Sequence, residues 1–185
     1  GFNTMVQFSD APAIIIEGDE YFASALNKEP KFLFYQSAIT LISGIAWDHF
    51  NVFPTLDHYH EQFLKLIQQK KQQDVLIINQ EDQDLVSLVE KSKTTAQIIN
   101  YTAFSYTTAN GNVIIHYDGK DFPIQVFGKH NISNLAGASA VCYQMGINTV
   151  DFLHSMVDFQ GASKRLECIG KSEKRILYRD FAHAP

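Results

Sequence analysis

The 185 residues are 45% apolar and 19% charged with no low-complexity tract, the composition of a soluble globular domain long enough to close a core without disulfides. A formal charge of −5 and the lack of a Lys/Arg stripe interleaved with aromatics argue against a nucleic-acid partner, which needs a basic footprint to neutralise phosphates. Apolar runs too short for a bilayer and the lack of a signal peptide leave no membrane partner to expect, and two distant cysteines without metal-ligand spacing point to a reducing cytoplasm.

In chain order, residues 13–17 (AIIIE) are a β-branched run ending in a carboxylate. They predict a buried parallel strand that delivers Glu17 at its carboxyl end, where ligands sit in open α/β sheets. Residues 32–35 and 39–43 predict further strands, after which Gly44 allows a turn presenting Trp47, Asp48 and His49. A helix follows from near Thr55, with Leu56, Tyr59, Phe63, Leu64 and Ile67 on one apolar stripe. Residues 74–79 (DVLIIN) predict a strand and 82–91 a second amphipathic helix carrying Leu85, Val86 and Val89, so the alternation is that of an α/β fold with a largely parallel sheet flanked by helices.

From 97 to 127 the pattern changes to β segments with turn signals at Asn110-Gly111 and Asp118-Gly119, which predicts a small antiparallel insert or edge. Residues 131–145 predict a helix closed by Gly146, with Leu135, Ala138, Val141, Cys142 and Met145 facing inward. Residues 149–158 predict another helix capped by Thr149, and 174–185 run from a strand-like ILY into DFAHAP.

Three places carry chemistry. Glu17-Gly18-Asp19-Glu20 sets three carboxylates around a glycine at a strand end, an arrangement that suits either a hard cation such as Mg²⁺ or a solvated acidic loop. Asp48-His49 pairs a carboxylate with an imidazole in a turn, while Trp47 suits a core anchor equally well. In Gly128-Lys129-His130-Asn131-Ile132-Ser133-Asn134 a glycine and a cation precede two asparagines spaced three apart. An Asn helix cap accounts for Asn131 and leaves His130 and Asn134 available to read an adenine edge.

EGDEY, a strand and WDH turn, GKHNISNLAGASAV, GASKRLE and DFAHAP, in that order and spacing, resemble the Mur ligases over nearly the whole chain. Within that family the resemblance is nearest the members that add L-alanine, or a salvaged tripeptide, to UDP-N-acetylmuramate. The resemblance implies that 1–173 are part of the central ATP-binding domain and that 174–185 open the C-terminal one. It implies an ATP- and Mg²⁺-dependent ligase that joins an amino acid or short peptide to UDP-N-acetylmuramate through an acyl phosphate, in peptidoglycan synthesis or recycling. Position by position, it gives Glu17 and His49 to the metal, His130, Asn131 and Asn134 to the adenine side, and Lys164-Arg165 to a basic pair beside the C-terminal domain. Asp180 and His183 fall near the nucleotide and incoming amino acid, in a segment where Phe181 and Ala184 depart from the family pattern. Phe63 stands about where some members carry a carbamylated lysine, so no carbamate is expected.

No Gly-x-x-Gly-Lys-Thr phosphate loop occurs in these residues. The 185-residue chain alone is therefore expected to bind ATP weakly and to lack ligase activity. The missing loop strand is expected to leave an open sheet edge, a route to self-association. Two other readings of the same motifs are a folate-adding ligase of the same superfamily and a non-catalytic α/β binding module. The second would leave Glu17 and His49 far apart.

Overall fold

The structure, a computed structural model, describes residues 7–109, 112–162, 165, 167–172 and 174–180. Its centre is a parallel sheet of β1 (Ile39–Ile42), β2 (Val75–Asn79) and β3 (Gln97–Tyr101), in the order β1-β2-β3. β2 lies in the middle because VLIIN is apolar on both faces: Leu76 and Ile78 enter one core and Ile77 the other, all three essentially inaccessible. β3 thus belongs to the parallel sheet, which corrects its assignment to the antiparallel insert. Its pairing with β2 follows the crossover through a helix, the connection that parallel strands require.

The crossover helices cover one face. In α1 (Leu56–Gln68), Thr55 caps the start by accepting the His58 amide, and Tyr59, Phe63 and Ile67 are buried as the periodicity predicts. Leu66 joins them, while Leu56 at the helix mouth is exposed. α2 (Gln83–Ser92) is capped by Asp82 and buries Leu85, Leu88 and Val89 against the same core.

Beyond the sheet, β4 (Tyr106–Ala109), β5 (Asn112–Tyr117) and β6 (Lys120–Ile124) form an antiparallel meander. Asp118 and Gly119 both have positive φ (52° and 69°), so the turn between β5 and β6 is the type that matches strand twist. The Asn110-Gly111 turn lies outside the described residues. α3 (Lys129–Gln144) then crosses the second face of the parallel sheet, where Gly137 lets it approach Tyr101 so closely that a Cβ would lie 2.9 Å from the ring. On its other side Ile132 and Leu135 pack with Val113, Ile115, Phe122 and Ile124 of the meander and with Phe152 and Leu153 of α4 (Thr149–Ser155). Met145 is exposed, because the helix ends at Gln144 before it can turn inward. β7 (Glu167–Lys171) and β8 (Ile176–Arg179) form a hairpin, and Tyr178 meets the Phe127 ring at 5.4 Å.

Four further expectations change. Residues 13–17 form no strand: Ile14, Ile15 and Ile16 are exposed and pair with no strand among the described residues, since β-branching favours an extended chain but only a neighbouring strand makes a ladder. Lys31–Phe34 is a 3₁₀ turn rather than a strand, because Pro30 fixes φ at −57° and its carbonyl accepts the Leu33 amide at 3.1 Å. Gly128, not Asn131, is the N-cap of α3. Asn148, not Thr149, caps α4 by accepting the Asp151 amide, and that helix stops at Ser155 rather than 158.

Candidate functional site

Three loops meet at the carboxyl ends of the parallel strands, where open α/β sheets bind ligands. Asp82 joins two of them, its Oδ2 accepting the Ile45 amide at 2.8 Å while its Oδ1 caps α2 through Leu85. Asn79 donates to the Ser43 carbonyl at 3.1 Å, and the Gln80 amide donates to the Tyr101 carbonyl at 2.9 Å. Glu81 extends the seam: one carboxylate oxygen accepts the Ala103 amide at 3.4 Å and the other lies 2.7 Å from the Lys129 ammonium. The start of α3 is thereby tied to the ends of β2 and β3. Each partner steadies the other's charge, since the Lys129 hydrogen bond lowers the Glu81 carboxyl and the Glu81 hydrogen bond raises the Lys129 ammonium.

The loop after β1 carries His49 in the left-handed region, at φ 56°. That conformation is uncommon for a side-chain-bearing residue, and its surroundings hold it. The His49 amide donates to Asp48 Oδ1 at 2.6 Å, and its carbonyl accepts the Val52 and Phe53 amides. Trp47 is a loop anchor rather than a core residue: the indole donates to the Phe53 carbonyl at 3.1 Å while the ring stays partly exposed.

The His49 imidazole lies against Tyr21 with ring centroids 4.5 Å apart, and its Nε2 is 3.6 Å from Glu20 Oε2. Glu20 is in turn approached by the Tyr59 hydroxyl at 3.4 Å, and burial, then the Glu20 charge, raises that phenol well above the ordinary tyrosine value. Asp19 faces the other way, accepting the Tyr21 amide at 2.6 Å and pairing with Lys31 at 3.1 Å. Burial pushes the Asp19 carboxyl up, but Tyr21, Lys31 and His49 outweigh it and hold the group below the usual carboxylate value. Glu17 is exposed and makes no hydrogen bond or ion pair among the described residues. The acid brought to His49 is therefore Glu20, three residues on.

At the start of α3, Gly128 has φ 89° and supplies no side-chain cap, and His130 folds back over it so that a Cβ there would sit 2.9 Å from His130 Cε1. Asn131 reaches back to donate to the Phe127 carbonyl at 2.7 Å, which fixes its amide without capping the helix. Asn134, one turn along, is exposed and makes no hydrogen bond among the described residues. Arg165 is exposed in a bend, its amide donating to the Ala162 carbonyl at 3.2 Å, and Asp180 is exposed just after β8. Lys164 and His183 lie outside the described residues. Glu81 and Asp82 escaped the sequence reading as site residues. Their signal was present as two acids shortly after a strand, but Asp82 reads first as the start of a helix.

The sequence profile of the Mur ligase middle domain matches residues 7–142. A UDP-N-acetylmuramate–L-alanine ligase of Caldicellulosiruptor saccharolyticus is 28% identical over 93% of this chain and 39% of its own length. The UDP-N-acetylmuramate–L-alanyl-γ-D-glutamyl-meso-2,6-diaminoheptandioate ligase of Haemophilus influenzae is 26% identical over 100% of this chain and 42% of its own. The chain thus spans about two fifths of the length of the curated relatives it matches. Among solved structures, MurF from Acinetobacter baumannii superposes with a TM-score of 0.68 at 21% identity, over 83% of this chain and 36% of that one.

Proposed function

The chain belongs to the Mur ligase family, and on that premise we propose that it is the nucleotide-binding part of an ATP-dependent ligase acting in the cytoplasm. The enzyme joins an amino acid or short peptide to UDP-N-acetylmuramate through an acyl phosphate, in peptidoglycan synthesis or recycling. The observation that carries the reading is the convergence of the His49 loop, the Glu81-Asp82 turn and the start of α3 at one end of the parallel sheet. The substrates named for the two ligases above support it.

The residues present fit both groups that such chemistry needs. Mg²⁺ keeps several waters and takes only one or two carboxylates beside phosphate oxygens, so a sparse donor set suits it. Glu20 and His49, 3.6 Å apart and partly buried, are such a set, and among the described residues no cluster of three or more His, Cys, Asp or Glu forms a fuller cage. In our reading Glu17 adds a further carboxylate from its exposed segment. When bound, the metal would reduce repulsion between the phosphate and carboxylate anions.

The chain's own residues position and neutralise. The Tyr59 hydroxyl holds Glu20, Glu20 and Tyr21 hold the His49 ring, and Asp48 fixes the His49 backbone. Glu81 keeps the Lys129 ammonium at the rim, where a cation faces incoming phosphate. Asn134 has donor and acceptor open to an adenine edge, with His130 beside it and Asn131 steadying the turn. The family resemblance further assigns Lys164-Arg165 to the approach to the C-terminal domain, and Asp180 and His183 to the nucleotide and incoming amino acid.

The test is a ligase assay on the parent protein with ATP, Mg²⁺ and UDP-N-acetylmuramate, comparing L-alanine with L-alanyl-γ-D-glutamyl-meso-diaminopimelate. Phosphate release that requires both UDP-N-acetylmuramate and one of the two amines is expected. Release with neither overturns the proposal.

A further inference from the structure

The opposite end of the parallel sheet holds a cleft of about 600 Å³ between the amino ends of β1 and β2 and the end of α1, within the size range of small-ligand pockets. Lys70 lines it. The residue is only 7% exposed, yet its ammonium meets only neutral oxygens: the Ser37 hydroxyl at 2.9 Å and the Ser37 carbonyl at 3.3 Å. Among the described residues no carboxylate forms an ion pair with it. Asp74, also on the cleft, turns its Oδ2 onto the Lys71 amide at 2.8 Å.

A buried cation that makes no ion pair is costly even with the Asp74 carboxylate nearby, and its neighbourhood favours an anion that can reach the ammonium directly. The end of α1 lends partial negative charge, which helps keep an ammonium there without supplying a full counter-ion. Burial pushes the Lys70 ammonium below the ordinary lysine range, with Asp74 opposing. The rest of the wall is mixed: the Lys71 side chain is exposed, Gln73 adds an amide, and Phe34 and Tyr35 bring aromatic surface, Phe34 half exposed.

We propose that this cleft binds a small carboxylate with an apolar body, the carboxylate on Lys70 and the body against Phe34 and Tyr35. One deep ammonium suits a monoanion, and the two aromatic side chains have no use for a bare ion. The site lies at the far ends of the strands from the His49 loop and stands independently of the ligase reading.

The experiment is a titration of the 185-residue chain with benzoate, followed by amide ¹H–¹⁵N NMR, with acetate and inorganic phosphate as the other arms. Saturable shifts confined to residues 33–38 and 69–74 are expected, with a dissociation constant on the order of 1 mM for benzoate. Lys70→Met should abolish them while the rest of the spectrum stays in place. If that variant does not fold, Phe34→Ala, which leaves the ammonium intact, should weaken benzoate several-fold and leave acetate unchanged. No shift at about 20 mM benzoate, or shifts that persist in Lys70→Met, would overturn the proposal. So would phosphate binding as tightly as benzoate, or a Phe34→Ala variant that binds benzoate unchanged.

Discussion

Asp82→Ala removes two bonds at once and should be the most damaging single change at the seam of the sheet. Its Oδ1 caps α2 through the Leu85 amide at 3.0 Å, and its Oδ2 holds the loop after β1 through the Ile45 amide at 2.8 Å. Losing an Asp cap costs about 1 kcal/mol, and a hydrogen bond to an ionised, partly buried carboxylate about 1.5 kcal/mol. The sum of about 2.5 kcal/mol lowers the melting temperature by roughly 5–10 °C for a domain of this size. Asp82→Asn, with one amide oxygen able to replace only one acceptor, should fall about midway. Urea denaturation followed by circular dichroism measures both. A loss under about 0.5 kcal/mol in Asp82→Ala, or equal losses in the two variants, would refute the double role.

In the parent protein Glu20→Gln should raise the Mg²⁺ concentration needed for half-maximal activity by about 10- to 100-fold, as expected when a carboxylate of the donor pair, which also orients the histidine, is removed; an unchanged Mg²⁺ dependence counts against the Glu20–His49 pairing. Asp19 has its folded pKa below the unfolded value, so its stabilisation is present above the ordinary carboxylate range and is lost as pH falls through the folded value. The stability gap between the natural chain and Asp19→Asn should therefore close on acidification below about pH 4, and a gap constant down to pH 2 would contradict it. Calorimetric titration of the 185-residue chain with ATP and Mg²⁺ should show weak binding, because the sequence holds no loop of backbone amides for the phosphates; submicromolar affinity would sink that expectation. Among the described residues β1 has no partner on its outer side, so the chain should self-associate as its concentration rises, and sedimentation as a strict monomer throughout would count against an exposed edge.

The elements whose signals are local were legible in the sequence. Helices read as starting near Thr55 and at Asp82 do start there, VLIIN reads as a strand and is one, and Asp118-Gly119 reads as the hairpin turn it is. The cap positions of α3 and α4 differ by a few residues and the 3₁₀ turn follows from a local breaker, Pro30, whereas the larger failures depend on something distant. AIIIE has the right residue types but no neighbouring strand among the described residues, and the parallel pairing of β3 depends on β2 rather than on its own sequence. Glu20 is the same failure within the site. Spacing shows three acids within four residues and cannot show which one turns toward an imidazole 29 residues after Glu20, whereas the orienting Tyr59 and Tyr21 come from a helix and a loop that only the fold brings together.

α3 has a consequence for motion. One side of this helix packs on the parallel sheet through Ala136, Ala140 and Val141, and the other on the antiparallel meander through Ile132 and Leu135. Neither sheet can open fully without stripping a side of the same helix. The two sheets should therefore exchange their amide hydrogens as one cooperative unit, with the Ile132–Ala136 stretch among the slowest. Asn134 thus rides on the stretch of backbone least able to drift, with Asn131 at its edge, while the His49 loop, fixed by a handful of bonds, retains the freedom to adjust around a ligand.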